Sequence, residues 1–132
     1  MKARIGIMSE ALIRMRLLAI AKGEYTPQPD EPKIWYTSIN AISQILRSEN
    51  IELLRLIDSE RPESVTQLAE LTGRAKSNLS STLKTLGEKG FVRMEQGKGK
   101  SLKPVALFTD FEIVTNSELE HYLLQLELDK AA

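Results

Sequence analysis

Residues 64–101 read SVTQLAELTGRAKSNLSSTLKTLGEKGFVRMEQGKGKS, and this stretch decides the fold. Ser64 and Gln67 fit a capping box, in which the hydroxyl accepts from an amide three residues on and the amide side chain reaches back. Leu68, Ala69 and Leu71 supply an apolar stripe, and Gly73 can take the positive φ that ends a helix. A second helix follows from Ala75, with Leu79, Leu83 and Leu86 on one face and Gly90 at its end. Two short helices joined by a glycine-containing turn make a helix-turn-helix. The face opposite the leucines carries Ser77, Ser81 and Lys84, with Arg74 and Ser80 at its edges. It is small and polar, with no acid before Glu88. Major-groove insertion requires such a face, because bulk clashes with base edges and carboxylates repel phosphates.

After Gly90 the period changes from helical to alternating. Phe91 to Glu95 reads as a strand, residues 96–101 as a flexible turn, and residues 102–114 as one or two returning strand segments interrupted at Pro104 and Asp110. A hairpin behind a helix-turn-helix is a winged helix, and Lys98 and Lys100 stand at the tip of its wing. Flexible cations between glycines suit a closely approaching phosphate backbone. Arg74, Lys76, Lys84, Arg93, Lys98, Lys100 and Lys103 are the expected phosphate contacts.

On the N-terminal side, Ala3 to Ile7 alternates as one strand. A helical pattern from Ser9 then places Leu12, Met15, Leu18 and Ala19 on one stripe, with Arg14 and Arg16 off it, until Gly23. Three prolines between Pro27 and Pro32 make residues 25–33 an extended linker. Residues 38–46 and 49–58 read as core helices, the second with Ile51, Leu54 and Ile57 at helical spacing. Trp35 and Tyr36 read as a buried anchor rather than a ligand-stacking pair. The expected organisation is a strand-helix extension at 1–24, the linker at 25–33, a winged-helix domain at 34–114 and an acidic amphipathic helix at 115–132.

Composition sets the outer bounds. The 132 residues hold 18 Lys+Arg, 18 Asp+Glu, one histidine and no cysteine. Disulfides, thiolate metal sites and thiol catalysis are therefore excluded, and His121 has no second imidazole to join it in a metal site or a catalytic pair. No apolar run approaches the length of a membrane span, so a cytoplasmic protein without a membrane partner is expected. The neutral total hides a partition: residues 1–60 are balanced, residues 61–103 carry +5 and residues 104–132 carry −5. A basic middle suggests that only the helix-turn-helix and wing face a polyanion.

Two motifs are coincidental. Gly99-Lys100-Ser101 ends like a phosphate-binding loop, but Met94 stands where that loop needs glycine, and strand signals follow where it needs a helix. Asn78-Leu79-Ser80 matches a glycosylation acceptor but lies inside a helix. In the C-terminal helix, Leu119, Tyr122, Leu123 and Leu126 recur at helical spacing among Glu120, Glu127 and Asp129. That face packs on its own domain, makes a homodimer contact or meets a partner protein. An RNA-binding role lacks the stacking aromatics it would need, since the chain has only one Trp, three Tyr and three Phe. No acid, base and nucleophile can be assembled without arbitrary choice, so an enzyme is not expected.

The segment VTQLAELTGRAKSNLSSTLKTLGEKGFVRMEQGKGK resembles the helix-turn-helix and wing of the MarR-like winged-helix regulators. More broadly, residues 20–113 resemble a group of small prokaryotic predicted transcriptional regulators, sharing AIAKGEY, the proline segment, EPKIWYTSINA and ENIELLRLI. Such regulators are often encoded beside a toxin gene and regarded as antitoxins that repress their own operon. The resemblance implies base-contacting positions at Arg74, Lys76, Ser77, Asn78, Ser80, Ser81 and Lys84, and wing contacts at Lys98 and Lys100. The chain departs from the group in carrying serines where relatives carry larger polar or basic residues. The sequence thus predicts a mostly α (α+β) winged-helix protein that binds double-stranded DNA as a homodimer, with a possible cognate toxin as partner and no cofactor, metal or catalysis. The competing reading is a protein-interaction module built on the same fold.

Overall fold

The computed structural model describes residues 1–131. In chain order the elements are β1 (Lys2–Ile7), α1 (Glu10–Ala21), β2 (Ile34–Tyr36), α2 (Ile39–Ile45), α3 (Ser48–Glu60), α4 (Val65–Thr72), α5 (Lys76–Glu88), β3 (Val92–Gln96), β4 (Leu102–Ala106), β5 (Asp110–Val114) and α6 (Ser117–Ala131). They divide into two units. Residues 43–110, with 1–2, make the first, and residues 3–42 with 111–131 make the second.

The first unit is the winged helix. The α3 stripe of Leu53, Leu54 and Ile57 is buried together with Leu68 of α4, Leu79, Leu83 and Leu86 of α5, and Phe91 and Val92 at the start of the hairpin. Burial of each such side chain contributes about 1.5–3 kcal/mol, which holds three short helices that would not persist alone. Arg61 ends α3 in the left-handed region at φ 48°, immediately before the buried Pro62. β3 and β4 pair antiparallel from Val92 opposite Ala106 to Gln96 opposite Leu102.

Three details of the hairpin differ from the sequence expectation. Pro104 does not interrupt β4: it is buried opposite Met94, and in a two-stranded ribbon β4 has a free edge where a missing N–H breaks no ladder. The break falls instead at residues 107–109. Beyond it β5 leaves the wing and joins β1, in a sheet of order β2-β1-β5.

The second unit holds that sheet and the helices α1 and α6. β1 and β2 run parallel, with Ile5 opposite Ile34 and Gly6 opposite Trp35. Met8, Ala19, Leu119 and Leu123 form its core, with Leu12, Ile13, Tyr25, Trp35 and Leu126 packed against them. Of the three alternatives open to the α6 face, the structure shows packing within its own unit for the buried positions. Leu119 and Leu123 are buried within their own unit, Leu126 packs beside them, and the Tyr122 hydroxyl donates to the Glu24 carbonyl at 3.2 Å. Leu119 and Leu123, enclosed this way, are not available to a second chain. The large hydrophobic side chains that α6 leaves exposed are Tyr122, Leu124 and Leu128.

The helical stripe of α1 is also shifted. Arg16 is buried whereas Leu18 is 49% exposed, because Glu31 and the Trp35 ring together satisfy the guanidinium. Residues 25–33 form no helix or strand, yet Glu31 and Pro32 are buried, and the segment lies inside the second unit.

Candidate nucleic-acid interface

The helix pair is built by its caps. Ser64 Oγ accepts from the Gln67 N–H at 3.0 Å, and Gln67 Oε1 in turn accepts from the Glu63 N–H, one residue earlier than the ideal reciprocal box. Gly73 caps α4 at φ 70°, a left-handed conformation that a side chain would strain. The Thr72 hydroxyl donates to the Leu68 carbonyl at 2.9 Å and accepts from the Arg74 N–H at 3.2 Å, so the turn is tied back onto α4. Ala75 caps α5 without a side-chain hydrogen bond. The first amides of α5 are therefore left to solvent or to an anion, at the positive end of the helix dipole.

With Leu79, Leu83 and Leu86 buried, α5 turns Lys76, Ser77, Asn78, Ser80, Ser81 and Lys84 outward, all exposed. Among the described residues none of Lys76, Lys84, Lys98 and Lys100 has an ion pair or a side-chain hydrogen bond. Arg74 is half-buried and does not point away freely. Its Nε and Nη2 both donate to Asn78 Oδ1, at 3.1 and 2.7 Å.

Where the glycines at residues 96–101 predict a flexible turn, the wing tip is a turn closed by hydrogen bonds. Gly97 N–H donates to the Ser101 carbonyl at 2.9 Å, the Ser101 hydroxyl to the Lys98 carbonyl at 2.7 Å, and Gln96 Nε2 to the Gly99 carbonyl at 2.6 Å. A Cβ at Gly97 would come within 2.9 Å of the Glu63 carbonyl oxygen. Glycine there permits the close approach that holds the turn, and Lys98 and Lys100 extend from it, exposed.

Two expected phosphate contacts are placed otherwise. Arg93 donates through Nε and Nη2 to Glu95 Oε1, at 3.1 and 2.6 Å, so its charge is compensated within the same strand face. Lys103 lies opposite Glu95 and lines a cleft with Ile57, Asp58, Arg61 and Pro104, on the flank of the wing rather than its tip. The alternation of a strand puts Arg93 and Glu95 on one face, and the i,i+4 spacing puts Arg74 beside Asn78. Both pairs had a signal in the sequence that the reading did not use.

The sequence profile of the HVO_A0114 family matches residues 45–113, which is more than half of the 132 residues. The chain belongs to the HVO_A0114 family. The matched region takes in the helices and hairpin of the first unit and reaches into β5. A crystal structure described as that of a predicted DNA-binding transcriptional regulator from E. coli is similar at a TM-score of 0.44 and 13% identity, over 86% of this chain and 95% of that one. A comparison with proteins of curated function finds no match. Among the described residues no helix is long and apolar enough to cross a membrane.

Proposed function

We propose that this HVO_A0114-family chain is a sequence-specific regulator of transcription that binds double-stranded DNA as a homodimer, without catalysis or cofactor. The observation that carries the reading is the exposed face of α5. It offers serines, an asparagine and unpaired lysines, and no carboxylate before Glu88, just ahead of a hairpin whose tip presents Lys98 and Lys100. α5 supplies base-edge contacts and the wing supplies phosphate contacts. Two copies would read two half-sites, and the exposed Tyr122, Leu124 and Leu128 are the large hydrophobic side chains of α6 left to join them.

The finer reading is a cytoplasmic autorepressor that occludes its own promoter and acts as antitoxin to a cognate toxin. It is supported by the resemblance of residues 20–113 to regulators of that kind. A second reading, a protein-interaction module that never touches DNA, is favoured by exposed Leu17 and Leu18 on α1 and Leu124 and Leu128 on α6. Fluorescence anisotropy against the duplex upstream of the protein's own gene and a shuffled duplex, each titrated with salt, separates the two. Salt-steep binding that prefers the native duplex by about a thousandfold or more supports the repressor. Equal weak binding, or none, supports the interaction module.

A further inference from the structure

Asn78 occupies the third position of α5, in the part of a recognition helix that enters the groove and meets base edges. An unconstrained asparagine offers one acceptor and two donors, and its usual partner is adenine, which presents the acceptor N7 beside the donor N6. In this structure that acceptor is already taken. The two groups 3.1 and 2.7 Å from Asn78 Oδ1 are both N–H donors of Arg74, so the atom facing them must be the oxygen, and the amide nitrogen must face outward. Two donors on one carbonyl oxygen use both of its lone pairs. An adenine N6–H brought to Asn78 would therefore find no acceptor and would lose its water without replacement.

The outer edge of the pair contains donors only. Asn78 contributes Nδ2–H₂, and Arg74, after giving Nε and one Nη2 hydrogen to Asn78, retains Nη1–H₂ and the second Nη2 hydrogen. Two hydrogen bonds to one oxygen hold the fork at Asn78, and the backbone that carries it is tied down. Arg74 is half-buried, its backbone N–H donates to Thr72 Oγ1 at 3.2 Å, and that hydroxyl is anchored to the Leu68 carbonyl. In the major groove guanine alone presents two adjacent acceptors, O6 and N7, with no donor between them.

We infer that Arg74 and Asn78 act as one donor-only unit that reads guanine, with Arg74 as the positioning residue that denies Asn78 its adenine partner. The inference rests on the DNA-binding reading above, and extends it to a base identity.

The test begins with selection from a randomised duplex library by the full-length protein, followed by anisotropy on the selected site. The expected result is one position in each half-site fixed as G·C. At that position 7-deazaguanine, which lacks the N7 acceptor, weakens binding by about tenfold or more. This arm needs no altered protein. With Arg74→Ala, Asn78 Oδ1 is released, and the same position shifts its preference to A·T. Arg74→Lys keeps the charge but loses the fork, and shifts the preference in the same direction. An adenine at that position for the unaltered protein, indifference to 7-deazaguanine, or an Arg74→Ala protein that binds every sequence equally more weakly would each overturn the inference while leaving DNA binding intact. Selection that enriches no sequence would overturn the DNA-binding reading itself, and the inference with it.

Discussion

Arg16 and Glu31, fifteen residues apart across the proline-rich segment, meet in a buried ion pair with Nε 3.0 Å from Oε1. Their side chains are only 9% and 3% exposed. Glu31 also accepts from the Tyr25 hydroxyl on both oxygens and from the Gln28 N–H, each at 3.0 Å, and Arg16 lies over the Trp35 ring. A charge left alone in this site has no water to turn to. Glu31→Ala is therefore expected to destabilise the protein by about 3–5 kcal/mol, measured by urea unfolding. The double replacement Arg16→Met with Glu31→Leu should recover much of that loss, because no unpaired charge remains. A single variant with unchanged midpoint would show that the pair does not hold the segment.

The same site makes stability depend on alkaline pH. Burial pushes the Tyr25 phenol up to about 12, and its hydrogen bond to the Glu31 carboxylate and that carboxylate's charge add to the rise, against a smaller lowering by Arg16. The folded pKa lies above the ordinary value near 10, so the folded state holds the proton that the unfolded chain releases. The contribution is fully present below pH of about 10 and is lost as pH rises toward about 12. Phenolate absorbance should show two late-titrating tyrosines, Tyr25 and Tyr36, the latter raised by burial, and Tyr25→Phe should remove one of them and flatten the decline. A decline of the same steepness in Tyr25→Phe would assign it elsewhere.

The winged helix was legible because local signals dominate it: a hydroxyl cap at Ser64, leucines at helical spacing in α5, and glycines at positive φ at Gly73 and Gly90. Pairings across many residues were not legible. Arg16 reads as solvent-facing until Glu31, which no periodicity connects to it, supplies its partner. The burial of Leu119 and Leu123 shows that an amphipathic stripe names a face but not what covers it. At the candidate interface, the exposed serines and lysines followed from helix geometry alone. Strand alternation already brings Arg93 beside Glu95, and a spacing of four brings Arg74 beside Asn78, but which donors and acceptors the pairs consume required side-chain positions.

Gly6 tests the parallel pair of strands in the second unit. It lies opposite Trp35 in register, and a Cβ built there would overlap the six-membered ring of the indole. The ring packs on the core of Met8, Ala19, Leu119 and Leu123, and its Nε1 is buried without a hydrogen-bond partner, so displacement would disturb the whole cluster. Gly6→Ala is expected to lower stability by about 1–3 kcal/mol, as overpacking does. Trp35 is the single tryptophan of the chain, so its emission reports the shift directly. An unaltered spectrum and midpoint would mean that the ring does not cover Gly6.

The wing can be tested by counting ions. Lys76, Lys84, Lys98 and Lys100 are exposed and unpaired, whereas Arg93 is already compensated by Glu95. A dimer using those four lysines in each copy makes about eight phosphate contacts and should show a log–log slope of affinity against salt near −7, at about 0.9 ion per contact. Replacing both Lys98 and Lys100 with alanine removes four contacts from the dimer, so the slope should fall to about −4, with affinity reduced nearly equally for native and shuffled duplexes. Arg93→Ala should leave the slope where it was, because a guanidinium already paired with Glu95 neutralises no phosphate and so displaces no cation from the DNA. A slope unchanged by the wing substitutions at low salt would remove the wing from the interface and leave α5 to bind alone.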